Sequence, residues 1–90
     1  MQRIEYNELD YDYERHIDLY KGKPFCGIAY EERVDGCLEE IMIVGGKKNG
    51  LMKTWYPSGQ QRTEEHFFRN VLHGMYWEWY ENGLLHIERF

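Results

Sequence analysis

The chain has 90 residues, with 16 acidic and 11 Lys or Arg side chains and a formal net charge of -5 at pH 7. This length predicts one domain with a thin core, because so short a chain buries only about 60 to 65 % of its unfolded surface. A mean hydropathy of -0.78 with 30 % charged residues excludes a helical membrane protein, because no segment approaches the roughly 20 apolar residues of a spanning helix.

The start of the chain, "MQRIEYNELD", has no apolar stretch after Arg3. No secretory signal is therefore expected, and the predicted compartment is the cytoplasm. Cys26 and Cys37 are expected at opposite ends of one strand, about 20 Å apart and beyond disulfide reach, as free buried thiols. The four histidines show no zinc-ligand spacing with cysteine, so we expect no metal and no cofactor.

Residues 1–26 are predicted to form a degenerate N-terminal cap. The stretch "LDYDYE" at residues 9–14 alternates apolar and acidic side chains, and "HIDLY" at residues 16–20 alternates again. Each stretch predicts one strand. Residues 1–5 are expected to be irregular, and a helix over residues 2–9 is an alternative.

The rest of the chain repeats one ten-residue pattern that begins and ends in glycine. The stretches are "GIAYEERVDG", "GLMKTWYPSG" and "GMYWEWYENG" at residues 27–36, 50–59 and 74–83. The pattern recurs 23 residues on, from Gly27 to Gly50, and then 24 residues on, at Gly74. Self-similarity at such a period predicts a repeat protein, with units at 27–49, 50–73 and 74–90.

Each unit is predicted to be a β-hairpin. Its apolar segments are too short for stable helices and are rich in aromatic and β-branched residues. Asp35-Gly36, Ser58-Gly59 and Asn82-Gly83 are typical hairpin turns. The expected fold is therefore all-β, a single twisted sheet made by one antiparallel meander of hairpins at about 28–44, 51–68 and 75–90.

The aromatic residues of "YWEWY" alternate between the two faces of a strand. Trp77 and Trp79 are expected on one face, and Tyr76 and Tyr80 on the other. We interpret these rings as core or as a cross-strand ladder. A partner-binding patch is the alternative, because a single sheet has no second layer to cover both faces.

Acidity is concentrated in the first half of the chain. Residues 1–45 hold 11 acidic and 5 basic side chains, whereas residues 46–90 hold 5 acidic and 6 basic ones. An acidic strand face favours a basic partner, although a merely solvated face is the alternative. The predicted stripe consists of Asp10, Asp12 and Glu14, extended by Asp18, Glu31 and Glu32.

The sequence of residues 49–90, "NGLMKTWYPSGQQRTEEHFFRNVLHG" followed by "MYWEWYENGLLHIERF", resembles the MORN-type repeats of bacterial YwqK-type antitoxins. Residues 27–48 match that pattern in their glycines only, and residues 1–26 match it weakly. The resemblance implies a β-hairpin array, often encoded beside a polymorphic toxin as its antitoxin or immunity protein. No catalytic residues come with this family.

These features predict a protein that neutralises a cognate toxin by covering its active or substrate-binding surface. The toxin is expected to be basic, as one acting on nucleic acid would be. Direct binding to nucleic acid or a membrane is not expected at a pI of 5.3. Scattered histidines argue against an enzyme. The predicted partner-binding residues are the acidic stripe with Trp77 and Trp79. A self-associating scaffold, such as a homodimer, is the alternative.

Overall fold

The computed structural model describes residues 2–90, which form strands and one short 3₁₀ turn, Tyr6–Glu8. The first five strands are β1 Arg3–Glu5, β2 Asp10–Asp12, β3 Ile17–Tyr20, β4 Lys23–Pro24 and β5 Gly27–Glu32. The other six are β6 Leu38–Val44, β7 Lys47–Trp55, β8 Gln61–Phe68, β9 Val71–Leu72, β10 Tyr76–Trp79 and β11 Leu85–Arg89. No helix in this part of the chain is long and apolar enough to cross a membrane.

The all-β prediction and its three hairpins are confirmed. They are β5 with β6, β7 with β8 and β10 with β11, each an antiparallel pair of neighbours in the chain. The turns of all three share one hydrogen-bond pattern, because a left-handed glycine donates its N–H to the carbonyl three residues before it. These donors are Gly36, Gly59 and Gly83, with φ of 86°, 95° and 90°.

The prediction of a single antiparallel meander is wrong. The large sheet has eight strands in the order β1-β5-β6-β7-β8-β10-β11, with β9 paired to β8, and its edge pair β1 and β5 is parallel. Strands β2, β3 and β4 form a separate small sheet. The N-terminal segment therefore adds a parallel strand to the hairpins and then folds back over them, which gives the core a second side.

The core lies between this N-terminal segment and one face of the large sheet. Its buried members are Ile4, Phe25, Ala29, Ile41 and Ile43, with Tyr6, Leu9, Tyr20, Met52 and Phe67 packed against them. We call this face of the sheet the core face. The N-terminal segment covers only part of it, because other side chains on the same face remain exposed or half-buried.

The first predicted strand is shorter than residues 9–14. Strand β2 ends at Asp12, whose Oδ1 accepts hydrogen bonds from the backbone N–H groups of Glu14 and Arg15 at 2.9 and 3.1 Å. This local bonding turns the chain, so Tyr13 and Glu14 lie in the turn. In place of the predicted irregular start or helix, residues 3–8 form β1 and the 3₁₀ turn, and residue 1 lies outside the described part of the chain.

The two thiols are free, but only one is buried. Cys37 is 3 % exposed, as predicted for a core thiol. Cys26 is exposed, so the prediction of two buried thiols is wrong for this residue. Cys26 directly precedes β5, and its Sγ accepts a hydrogen bond from the backbone N–H of Gly45 at 3.1 Å, in an exposed turn.

Candidate protein-binding surface

Four glutamates lie on the part of the core face that the N-terminal segment leaves open. Side chains on a strand alternate between faces, so Glu31 and Glu39 share the face of buried Ala29 and Ile41. The strand register adds two more, because Glu65 is opposite Met52 and Glu78 is opposite Thr63. We call this set the acidic face: Glu31, Glu39, Glu65 and Glu78.

The charges of the acidic face are largely unpaired. Glu31 and Glu39 are direct cross-strand neighbours, an arrangement that destabilises a sheet because the like charges repel. Among residues 2–90, no basic side chain lies within 4.0 Å of Glu31, Glu39 or Glu65. Glu78 has only His86 nearby, with Nε2 at 3.7 Å from its carboxylate.

On the other face of the large sheet, glutamates lie close to basic side chains. Glu40 pairs with Arg3 at 2.7 Å, and Glu64 lies 3.9 Å from the ammonium of Lys53. Glu40 follows Glu39 in the chain and projects to the opposite face. Of these two adjacent residues, Glu40 forms an ion pair within the described part of the chain and Glu39 does not.

Burial and neighbouring carboxylates shift two ionisable groups around Glu39. Burial, followed by the charges of Asp18, Glu39 and Glu31, raises the pKa of Tyr6 to about 12. Burial, followed by the charge of Glu39, also raises the pKa of Glu65. The charges of Lys48 and Arg89 act on Glu65 in the opposite direction.

Small residues separate the glutamates across the middle of the sheet. Glu39, Thr54, Thr63 and Glu78 are successive cross-strand neighbours in the register of β6, β7, β8 and β10. Thr54 and Thr63 are 3 % and 8 % exposed, and their hydroxyl groups hydrogen-bond to each other. The two hydroxyl groups therefore satisfy each other's hydrogen-bonding capacity, and the short threonine side chains lie between Glu39 and Glu78 in the register of the sheet.

Strand β10 supplies the far side of this surface. The Tyr76 hydroxyl donates a hydrogen bond of 2.8 Å to the Glu78 carboxylate. Burial, followed by this hydrogen bond and the charge of Glu78, raises the pKa of Tyr76 to about 12. Tyr76 therefore stays a neutral donor that orients Glu78.

The predicted stripe is only partly assembled. Asp10 is exposed on β2, but the Asp12 carboxylate binds the Arg15 guanidinium at 2.7 Å and the backbone of the turn. The hydrogen bond from Arg15 lowers the pKa of Asp12. Glu14 is exposed in the turn itself. The structure thus places Asp10 and Asp12 on one strand, and Asp12 also holds the turn.

Asp18 does not extend an exposed stripe, which corrects the prediction. It is 5 % exposed, because its backbone N–H donates to the Gly46 carbonyl at 2.7 Å and holds β3 against the large sheet. Glu31 belongs to the acidic face. Glu32 lies at the end of β5 and, with Glu5, lines a groove of about 310 Å³ that shares Glu31 with the acidic face.

Trp77 and Trp79 lie away from the acidic face. Both are half-buried on β10 and alternate with Glu78, so they project to the other side of the sheet. The Trp77 indole N–H donates to the Glu88 carboxylate at 3.1 Å, and its ring meets that of His66 at 5.8 Å. The predicted partner-binding residues therefore occupy several separate regions.

Three members of the acidic face were not predicted from the sequence: Glu39, Glu65 and Glu78. A signal for two of them was present, because each belongs to an adjacent glutamate pair, Glu39-Glu40 and Glu64-Glu65. Such a pair on a strand must send one carboxylate to each face. The face of Glu39 could have been assigned from Ile41, two residues on, had the core face been known.

Residues 2–90 contain no group of three or more His, Cys, Asp or Glu side chains arranged to hold a metal ion. Comparison with family models, with curated proteins and with solved structures finds no match to the chain.

Proposed function

We propose that this chain is a non-catalytic binding protein whose acidic face docks on a basic surface of a partner protein. The observation that carries the proposal is the direct opposition of Glu31 and Glu39 with no basic side chain within 4.0 Å among residues 2–90. Local rules of sheet stability are broken most often at functional sites. Lys and Arg side chains of a partner would relieve this repulsion on binding.

The size of the surface is adequate for such a complex. The chain exposes 6091 Å², and a standard protein interface takes about 800 Å² from each partner, or roughly one eighth of that surface. Unpaired carboxylates also accelerate the encounter with a basic protein and select it over acidic competitors.

The class of partner is a cognate toxin, and the chain acts as its antitoxin or immunity protein. The resemblance of residues 49–90 to MORN-type antitoxin repeats supports this part of the proposal. A toxin that acts on nucleic acid needs a basic groove for phosphates. The acidic face would occupy that groove and exclude the substrate, which requires no catalytic group on this chain.

The test is co-expression with the protein encoded by the neighbouring gene, followed by growth-rescue and pull-down assays. The proposal predicts that the wild-type chain rescues growth and that Glu39→Lys does not. Glu40→Lys is the matched control, because it makes the same charge change on the adjacent residue of the opposite face. Absence of binding and rescue by the wild-type chain would overturn the proposal.

A self-associating scaffold is the second candidate. It is favoured by exposed apolar side chains on and beside β11, since Leu84, Leu85 and Phe90 are 64 %, 50 % and 95 % exposed. Exposed apolar patches often mark contacts between chains. Sedimentation of the purified chain separates the two candidates, because the scaffold requires a stable oligomer of this chain alone.

A further inference from the structure

A polar pocket of about 470 Å³ lies where the small sheet meets the large one. It is distinct from the acidic face, although both include charges that act on Tyr6. Its lining combines two phenols, an imidazole, a carboxylate, an ammonium and an amide. We call it the Asp18 pocket, and its lining residues are Tyr6, Tyr11, His16, Asp18, Lys48 and Asn70.

Asp18 is 5 % exposed and lines the pocket, and its carboxylate makes few hydrogen bonds within the protein. Its side-chain hydrogen bond comes from the Tyr6 hydroxyl at 3.5 Å, the outer limit for such a bond. An ionised carboxylate accepts about four hydrogen bonds, so most of its capacity is unused. Among residues 2–90, no basic side chain lies within 4.0 Å of it. Because Asp18 lines the pocket, its remaining acceptor sites can take N–H donors from a ligand.

Lys48 is the cation that influences Asp18, but it does not neutralise Asp18 by contact. Its charge favours the ionised form of Asp18 and also that of Glu65. The Lys48 ammonium lies 5.4 Å from the centroid of the Phe67 ring. Lys48 is therefore a lining residue that competes with a cationic ligand for Asp18, and its attraction is shared between Asp18 and Glu65.

The walls of the pocket are held in place by the protein itself. Asn70 accepts a hydrogen bond from the Lys48 backbone N–H at 2.8 Å and donates one to the His16 carbonyl at 3.0 Å. The His16 ring contacts the Tyr11 hydroxyl through Nδ1 at 3.3 Å. A pocket built in advance lowers the entropy that a ligand must lose on binding.

A guanidinium group fits this combination of side chains. It is a flat cation with five N–H donors, so it can pair with a carboxylate and lie against aromatic rings. Asp18 supplies the carboxylate, and Tyr6 and Tyr11 supply the rings. The negative charge of Asp18 would repel an anionic ligand.

We infer that the Asp18 pocket binds the guanidinium group of an arginine side chain presented by the protein partner, with Asp18 as its counter-ion. The identity of the partner rests on the proposed function, whereas the chemistry of the pocket does not. Arginine anchors of this kind supply much of the affinity of many protein interfaces.

The test uses N-acetyl-L-arginine methylamide as the probe and the full chain as the receptor, followed by ¹H–¹⁵N NMR spectra. Saturable shifts are expected at the amides of His16, Asp18 and Asn70. Asp18→Asn should weaken binding at least about tenfold, the loss of one charge-assisted contact. Asp10→Asn is the matched control, because it removes an equal charge from the exposed strand paired with β3, and it should leave affinity unchanged.

Lys48→Met gives a second readout, which does not depend on the Asp18 variant. It removes the competing cation, so the probe should bind more tightly, whereas Lys47→Met should change little. Absence of saturable shifts, or equal weakening by Asp10→Asn and Asp18→Asn, would overturn the inference. If the partner fails to bind while the probe binds as expected, the proposed function fails and the pocket stands. Partner binding without any probe binding would reject the pocket alone.

Discussion

Glu31 and Glu39 face each other across β5 and β6, and within residues 2–90 no basic side chain lies within 4.0 Å of either one. The next residue of β6, Glu40, projects to the other face and pairs with Arg3 at 2.7 Å. Glu40 on one face thus forms an ion pair within the protein, whereas Glu31 and Glu39 on the other face form none within the described residues. This contrast allows tests in which adjacent positions serve as each other's controls.

Glu39→Gln should stabilise the isolated chain. The substitution removes repulsion from Glu31 while keeping the size of the side chain, which is worth about 0.2 to 1 kcal/mol for one cross-strand pair. Glu40→Gln should be neutral or slightly destabilising, because it removes a partly exposed ion pair. Urea denaturation measures both changes, and equal effects at the two positions would contradict the assignment of faces.

Asp18→Asn should make stability less sensitive to pH. Burial raises the pKa of Asp18, and this outweighs the lowering by Lys48 and Tyr6. Because the pKa of Asp18 is raised in the folded state, protonation of Asp18 stabilises the fold. This stabilisation is fully present below the unfolded pKa, about 4, and is lost as pH rises through the folded pKa. The variant should therefore be more stable than wild type at pH 7, and urea denaturation between pH 4 and 7 should show the difference shrinking towards pH 4.

Asp35 should contribute to stability with the opposite pH dependence, and Asp35→Ala tests this. The hydrogen bond from the Cys37 backbone N–H lowers the pKa of Asp35. Its stabilising contribution is therefore present above the unfolded pKa and is lost as pH falls through the folded pKa. Urea midpoints between pH 3 and 7 should show the Asp35→Ala defect fading in acid. A defect that grows in acid would refute the assigned role of this carboxylate.

Replacing one threonine of the buried pair should cost more than replacing both. Thr63→Val leaves the buried Thr54 hydroxyl without its hydrogen-bond partner, a loss of about 1 to 3 kcal/mol. The double variant Thr54→Val with Thr63→Val removes both polar groups and should recover much of that loss. A double-mutant cycle of unfolding free energies measures the coupling, and additive losses would show that the two hydroxyls act independently.

Gly46→Ala should disrupt the contact between the small sheet and the large sheet. Gly46 has a φ of 82°, and an added Cβ would lie 2.7 Å from the Ile17 Cβ and 2.8 Å from the Asp18 carbonyl. Gly45→Ala is the control, because Gly45 is also left-handed but has no atom within 4 Å of the added group. The control should cost about 1 to 2 kcal/mol, and Gly46→Ala clearly more. Hydrogen exchange at the Asp18 amide should accelerate in Gly46→Ala only.

The hairpins were predictable from the sequence because their information is local. Each turn contains a glycine with a positive φ, and its conformation depends only on residues nearby in the sequence. These glycines are Gly36, Gly59 and Gly83. The pairing of Arg3–Glu5 with β5 was not predictable, because a parallel contact across more than twenty residues leaves no local pattern. The small sheet was predicted only as two strands, since nothing local indicates that it packs over the hairpins.

The acidic face illustrates the same limit for function. Counting charges by halves of the chain directed attention to Asp10 and Asp12, whereas the face also takes Glu65 and Glu78 from the half with a net positive charge. Which glutamate of an adjacent pair remains unpaired depends on the location of Arg3 and Lys53 in the folded sheet. That information exists only once strand register and the covered face are known.

The most direct test of the acidic face is the rate of association with the protein encoded by the neighbouring gene, measured by stopped flow at low and physiological ionic strength. If the partner docks on the acidic face, Glu39→Lys should slow association at least about tenfold at low salt, added salt should reduce this difference in rate, and Glu40→Lys should have little effect. Equal slowing by both variants, or an unchanged rate for Glu39→Lys, would show that the partner does not bind through the acidic face.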